Sequence, residues 1–211
     1  MNPLDQSEYR KIMRALRAFL IRSLDSSMRL GQTSVIDFVS RLSASIIGFI
    51  ATLYIARQIG SAPLGIYNLG IGLVSWLSVG GTIGLSGAIS KRVSEGDEQA
   101  EYAIAGTVLI GALFVIVMVA VLLFRSRINE YVGYPATVFI IIILFLSLVY
   151  SIVGSLLTGL HLVHIDSMLS TVQTGARSLF QIGAVFASFG VVGLFWGHIA
   201  GTAVVVVIGL Y

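Results

Sequence analysis

Residues 103–124 and 136–160 contain no charged side chain. Each run exceeds the roughly 20 residues that an α-helix needs to cross about 30 Å of hydrocarbon. Over the whole chain of 211 residues, 56% are hydrophobic and 11% are charged. A soluble domain carries about 25% charged residues, so this chain could not cover a water-facing surface. The sequence predicts an all-α polytopic membrane protein, with room for six transmembrane helices and no sizeable extramembrane domain. The chain has no cysteine, which excludes a disulfide framework, cysteine-ligated metal sites and thiol catalysis.

Residues 1–33 stand apart. They carry Arg10, Lys11, Arg14, Arg17, Arg22 and Arg29 against Asp5, Glu8 and Asp25, and no apolar run follows that could form a signal-peptide core. Ile12, Leu16, Phe19 and Leu20 recur at helical spacing, with Arg10, Arg14 and Arg17 on another face. The segment reads either as an amphipathic helix on an anionic cytoplasmic leaflet or as a solvated basic tail that sets topology.

From residue 34 onward, polar punctuation separates apolar stretches, and the spacing predicts a six-helix bundle over 34–211 with spans at about 34–56, 68–90, 103–124, 136–159, 167–188 and 191–211. Residues 178–211 are uncharged throughout. As one helix they would extend about 51 Å, well beyond the hydrocarbon thickness, so a turn is expected at Ser188-Phe189-Gly190. A five-span alternative puts a single helix over about 178–200. Lys91 and Arg92 fall on the same side as the basic tail, and Arg57, Arg125 and Arg127 on the other. The positive-inside rule then places the N-terminus in the cytoplasm of a multi-pass cell-membrane protein. The basic balance is topological and gives no support to a nucleic-acid partner.

Small residues mark packing faces. Gly80, Gly81, Gly84 and Gly87 crowd the second span, and Gly193, Gly197 and Gly201 repeat every fourth residue in the last one, where backbones can approach closely. The glycines of the second span fit either static packing or a helix that bends. Ionisable groups inside spans cost about 2.5–3.5 kcal/mol each at the helix centre and normally face a cavity or a partner. Arg177 is the clearest, about ten residues from either end of its span. Facing a cavity it suits an anionic phosphate or diphosphate; a structural role or an interfacial position is the alternative. Asp37 and Arg41 lie i, i+4 and can pair locally, and Arg57 can snorkel to headgroups. His198 reads as an interhelical hydrogen-bonding residue rather than a proton relay. His161, His164 and Asp166 share a short loop and give too weak a signal to predict a metal. Glu95, Asp97, Glu98 and Glu101 form the one acidic cluster, explained equally by a solvated linker. No nucleophile triad, phosphate-binding loop or HExxH is present, so no enzyme and no cofactor are expected.

Ala56-Arg57-Gln58-Ile59-Gly60 followed by Gly65-Ile66-Tyr67-Asn68-Leu69 resembles the A-R-x-L/I-G-x-x-x-x-G-x-Y-x-L signature of the polysaccharide biosynthesis (Wzx-like) flippases, within the multidrug/oligosaccharidyl-lipid/polysaccharide exporter superfamily. Gly84-Leu85, Ala88 and Lys91-Arg92-Val93-Ser94-Glu95 are similar to that family's end of helix two, and Phe189-Gly190-Val191-Val192-Gly193-Leu194 to its fifth-to-sixth hairpin. The motif residues are thus Arg57, Gly60, Gly65, Tyr67, Gly84, Arg92 and Glu95. The resemblance implies one lobe of a two-lobe exporter that flips a lipid-linked oligosaccharide with an anionic diphosphate headgroup by alternating access. Arg177, Arg41, Asp37 and Arg57 become candidates for the substrate path. Family members have about twice as many helices, so the chain matches the N-terminal lobe and implies a fragment, a second copy or a partner chain. The competing readings are a multidrug or cation antiporter lobe, which would need a deep carboxylate where only Asp37 offers itself, and a non-transporting scaffold subunit.

Overall fold

The computed structural model describes Val35 and residues 38–211, apart from Ile83 and Asp97. The basic segment 1–33 and Asp37 lie outside the described residues. Those described form helices α1 (Phe38–Ile59), α2 (Ser61–Thr82), α3 (Leu85–Glu95), α4 (Gln99–Leu123), α5 (Arg125–Val132), α6 (Thr137–Gly159), α7 (Val163–Phe186) and α8 (Gly190–Leu210), with no strand among them.

Backbone stereochemistry sets the helix ends. Gly60 has φ 82° and donates to the Ala56 carbonyl at 3.1 Å, ending α1 as its place in the motif suggests. The chain then turns straight into α2. Residues 61–67, expected as a connector, form its first turns, since Pro63 lacks an N–H where a helix start would leave one unbonded. The expected single helix over 68–90 is instead two, because Gly84 stands in the left-handed region at φ 75° between α2 and α3. Two further turns close with paired backbone bonds after a left-handed residue. His161 (φ 61°) donates to the Thr158 carbonyl at 3.1 Å and Leu162 to that of Leu157 at 2.8 Å. Ser188 (φ 61°) donates to Val185 at 3.0 Å and Phe189 to Ala184 at 3.0 Å. The second of these is the turn expected at 188–190, and it rules out a continuous helix over 178–200.

Among the described residues, five helices are long and apolar enough to cross a membrane: α1, α2 through Gly80, α4, α6 and α8. That differs from the expected six. At 24 residues α7 has the length, but Asp166, Gln173, Arg177 and Gln181 make it less apolar than the rest. Large apolar side chains cover the outer surface, with Trp76 79% and Phe186 73% exposed, as suits a bundle solvated by lipid.

The core draws residues from every helix, and its aromatic centre lies between α2, α6 and α8. Phe195 is fully buried, stacked on Phe139 (centroids 5.1 Å apart) and meeting Tyr67 edge-on at 5.5 Å. One face of α6 carries Thr137, Ile140, Leu144 and Leu148 into this core and then Ser151, Ser155 and Gly159, changing from apolar to polar along its length. Beside the core, α7 and α8 run antiparallel in close contact. A Cβ added at Gly193 would lie 2.7 Å from the Ala184 Cβ, and one at Gly197 2.6 Å from the Gln181 Cγ. At Gly201 it would collide with the Arg177 backbone. The glycine repeat read from the sequence is therefore a face that admits a neighbouring backbone.

Gly201→Ala is accordingly expected to cost about 1–3 kcal/mol of stability through overpacking, whereas Gly65→Ala, with nothing within 4 Å of the added methyl, should cost far less. Unfolding of the purified full chain in detergent measures both.

Candidate functional site

A cavity of about 530 Å³ opens at the end of the bundle where α1 and α7 begin and α3 and α6 finish. Four helices build its wall. Arg41 comes from α1; Ser86, Gly87 and Ser90 from α3; Tyr150, Ser151, Gly154, Ser155 and Thr158 from α6; Asp166 and Ser170 from α7. Tyr150 lies nine residues before the end of α6, so the polar wall reaches about 13 Å into the bundle at 1.5 Å per residue.

Local geometry aims these groups. The Ser86 and Ser151 hydroxyls are 2.9 Å apart and join α3 to α6 across the wall. Ser155 Oγ donates to the Ser151 carbonyl at 2.7 Å and Ser170 Oγ to the Ser167 carbonyl at 2.8 Å. These hydroxyls spend their hydrogens on their own helices and keep lone pairs for the cavity. Gly154 makes room for the aspartate, since a Cβ there would stand 2.9 Å from Asp166 Oδ1. Thr171 Oγ1 donates to the Ser40 carbonyl at 2.9 Å, holding α1 against α7 just beside Arg41 and Asp166.

A second polar group is buried deeper. Tyr67 Oη and His198 Nδ1 are 2.8 Å apart and join α2 to α8, either one donating according to the imidazole tautomer. Gln181 Nε2 donates to the Leu194 carbonyl at 3.0 Å, tying α7 to α8. Arg177 is half-buried on α7, its backbone packed against Gly201 of α8, three residues after His198.

The residues singled out in the sequence are thus separated. Arg41 lines the cavity, Arg177 lies outside its lining at the contact of α7 with Gly201 of α8, and Arg57 is exposed near the opposite end of α1. Among the motif residues, Tyr67 is an interhelical partner, Gly60 and Gly84 are left-handed breaks, and Gly65 has open space around it. Arg92 and Glu95 form an ion pair at 2.9 Å near the end of α3, with the Arg92 guanidinium 5.4 Å from the Tyr102 ring centroid on α4. Both side chains are largely exposed, so the pair contributes about 0–1 kcal/mol. His161 serves a turn, and no cluster of metal-ligating residues exists among the described residues.

Sequence reasoning missed Asp166 and the hydroxyls facing it. A span beginning at 167 puts Asp166 in the preceding loop, whereas α7 begins at Val163. The available signal was the polar stripe Asp166, Ser170, Gln173, Arg177 and Gln181 at helical spacing, which extends the helix back through the aspartate.

The sequence matches the family described as polysaccharide biosynthesis protein over residues 30–211. A probable flippase of Haloferax volcanii, AglR, is 26% identical over 185 residues, covering 87% of this chain and 39% of that protein. A probable low-salt glycan biosynthesis flippase of the same organism is 26% identical over 132 residues, covering 63% of this chain and 28% of the relative. The chain thus spans well under half the length of either relative. No solved structure matches.

The Tyr67–His198 bond is expected to couple α2 to α8 by about 0.6–1.7 kcal/mol, the range for hydrogen bonds between membrane helices. A double-mutant cycle of Tyr67→Phe and His198→Ala on unfolding of the full chain measures it, and simple additivity would deny the coupling.

Proposed function

The chain belongs to the polysaccharide biosynthesis protein family, and on that premise we propose that it is part of a flippase moving a lipid-linked glycan across the cell membrane. The observation that carries the reading is the polar cavity at one end of an otherwise apolar bundle, which gives a hydrophilic headgroup a place inside the membrane. Membership of this family makes the activity transport rather than catalysis.

Orientation follows from charge. With Lys91 and Arg92 at the cavity end and Arg57, Arg125 and Arg127 at the other, the positive-inside rule turns the cavity mouth and the N-terminus to the cytoplasm. α7 serves as the sixth crossing, its polar side chains turned toward α8 and the cavity. Because the chain covers 39% of its longer-matching relative, a second lobe completes the pathway, and the two lobes rock to give alternating access. Residues 1–33 act as the basic cytoplasmic segment.

The anionic diphosphate of the carrier lipid is assigned to Arg177. It lies at mid-helix, and among the described residues no carboxylate forms an ion pair with it. Arg41 contacts the headgroup in the cavity, Asp37 is a further substrate-path candidate by its i, i+4 sequence spacing from Arg41, and Arg57 meets lipid headgroups at the far surface. Asp166 supplies the carboxylate that an antiporter would need, but the relatives are described as flippases for glycans, and the glycan reading is preferred.

Deleting the gene is expected to leave lipid-linked saccharides on the cytoplasmic face and to reduce surface glycans. Unchanged pools would refute the reading. In complementation, Arg177→Ala and Arg41→Ala should each lower glycan export about tenfold or more, the effect of losing about 1.4 kcal/mol of headgroup binding. Arg57→Ala should restore export fully.

A further inference from the structure

The cavity formed by Arg41, Asp166 and the hydroxyls between them has a donor and acceptor balance that selects among the parts of a lipid-linked headgroup. A diphosphate is a dense anion whose oxygens only accept, and its protein sites concentrate cationic donors. Here the cation Arg41 shares its space with the anion Asp166, so the described wall carries no net positive charge. Ser155 and Ser170 have committed their hydrogens to helix carbonyls at 2.7 and 2.8 Å, so they and the aspartate present acceptor capacity, while Arg41 and the Ser90, Thr158 and Tyr150 hydroxyls in the same wall can donate. Acceptors need a ligand that donates. Sugar hydroxyls donate and accept alike, a carboxylate can accept from two neighbouring hydroxyls, and the Tyr150 ring offers an apolar face to a pyranose. The volume of about 530 Å³ lies within the about 300–1,000 Å³ of small-molecule sites.

We propose that this cavity is a saccharide subsite, binding an uncharged sugar of the glycan through Asp166, Arg41 and the surrounding hydroxyls, and that the diphosphate is not held there. The proposal rests on the flippase reading for its biological ligand but concerns binding alone. Asp166 accepts from sugar hydroxyls, Arg41 donates to a ring or hydroxyl oxygen, and Gly87, with nothing within 4 Å of an added Cβ, leaves open wall for a sugar ring to lie against.

Gly87 gives a reporter. It lines the cavity, a Cβ there meets nothing within 4 Å, and the chain has no other thiol once Gly87→Cys is made. The full chain carrying Gly87→Cys, in lipid nanodiscs, is labelled with a water-soluble maleimide in the presence of chitobiose, maltose, mannobiose or inorganic pyrophosphate. At least one neutral disaccharide is expected to slow labelling about threefold or more and saturably, while pyrophosphate does not. Asp166→Asn, or Ser170→Ala should the first variant fail to fold, should raise the half-protecting sugar concentration about fivefold or more. Protection by pyrophosphate and by no sugar would overturn the saccharide assignment and leave the flippase reading standing. Protection by no probe would overturn it as well. Protection by sugar together with unchanged lipid-linked saccharides after gene deletion would support the subsite and defeat the flippase reading instead.

Discussion

In hydrocarbon an apolar side chain gains little by choosing a neighbouring helix over a lipid tail, so a membrane bundle depends on how closely its backbones approach and on the hydrogen bonds that approach permits. The contact of α7 with α8 answers that constraint. Gly193, Gly197 and Gly201 leave out the methyl groups that would strike Ala184, Gln181 and Arg177, and the resulting closeness lets Gln181 reach the Leu194 carbonyl. α7 is the most polar of the long helices, and it is held through this face. With α7 fixed, Asp166 and Ser170 at its start stand opposite the hydroxyls of α6.

The same logic accounts for the two kinds of polar group in the bundle. Tyr67 and His198 are buried and satisfy one another, which makes them a structural joint between α2 and α8. The cavity groups, Ser155 apart, are at least partly exposed, drawn from four helices and open at one end. In a membrane protein, polar side chains gathered around open volume are where water or a hydrophilic cargo can enter. The left-handed break at Gly84 contributes too, since it ends α2 and lets α3 present Ser86, Gly87 and Ser90 to α6.

Much of the architecture was legible in the sequence because it follows from local rules. Charge-free runs located α4 and α6, the length limit on a crossing forced the turn at Ser188-Phe189-Gly190, and the four-residue glycine repeat gave the α7–α8 face. His198 was legible as an interhelical partner because a lone buried imidazole needs one. The cavity was not legible, for a physical reason. Its members are scattered over α1, α3, α6 and α7, and a serine that faces a cavity has the same sequence spacing as one that eases packing. The division of the second span was hidden as well: its glycines signalled close packing and flexibility equally, and only the positive φ at Gly84 distinguishes a break.

If the headgroup passes through the hydroxyl-lined cavity, filling that cavity stops transport. Gly87→Trp places an indole where an added side chain meets nothing in its first bond length, so the fold should hold while the space is lost. The decisive measurement is export of lipid-linked saccharide in cells whose only copy of the gene carries Gly87→Trp, with the unfolding midpoint of the purified protein as companion. The account predicts that export collapses while the midpoint stays near that of the unaltered protein. Export at the unaltered rate from a stably folded Gly87→Trp protein would contradict it.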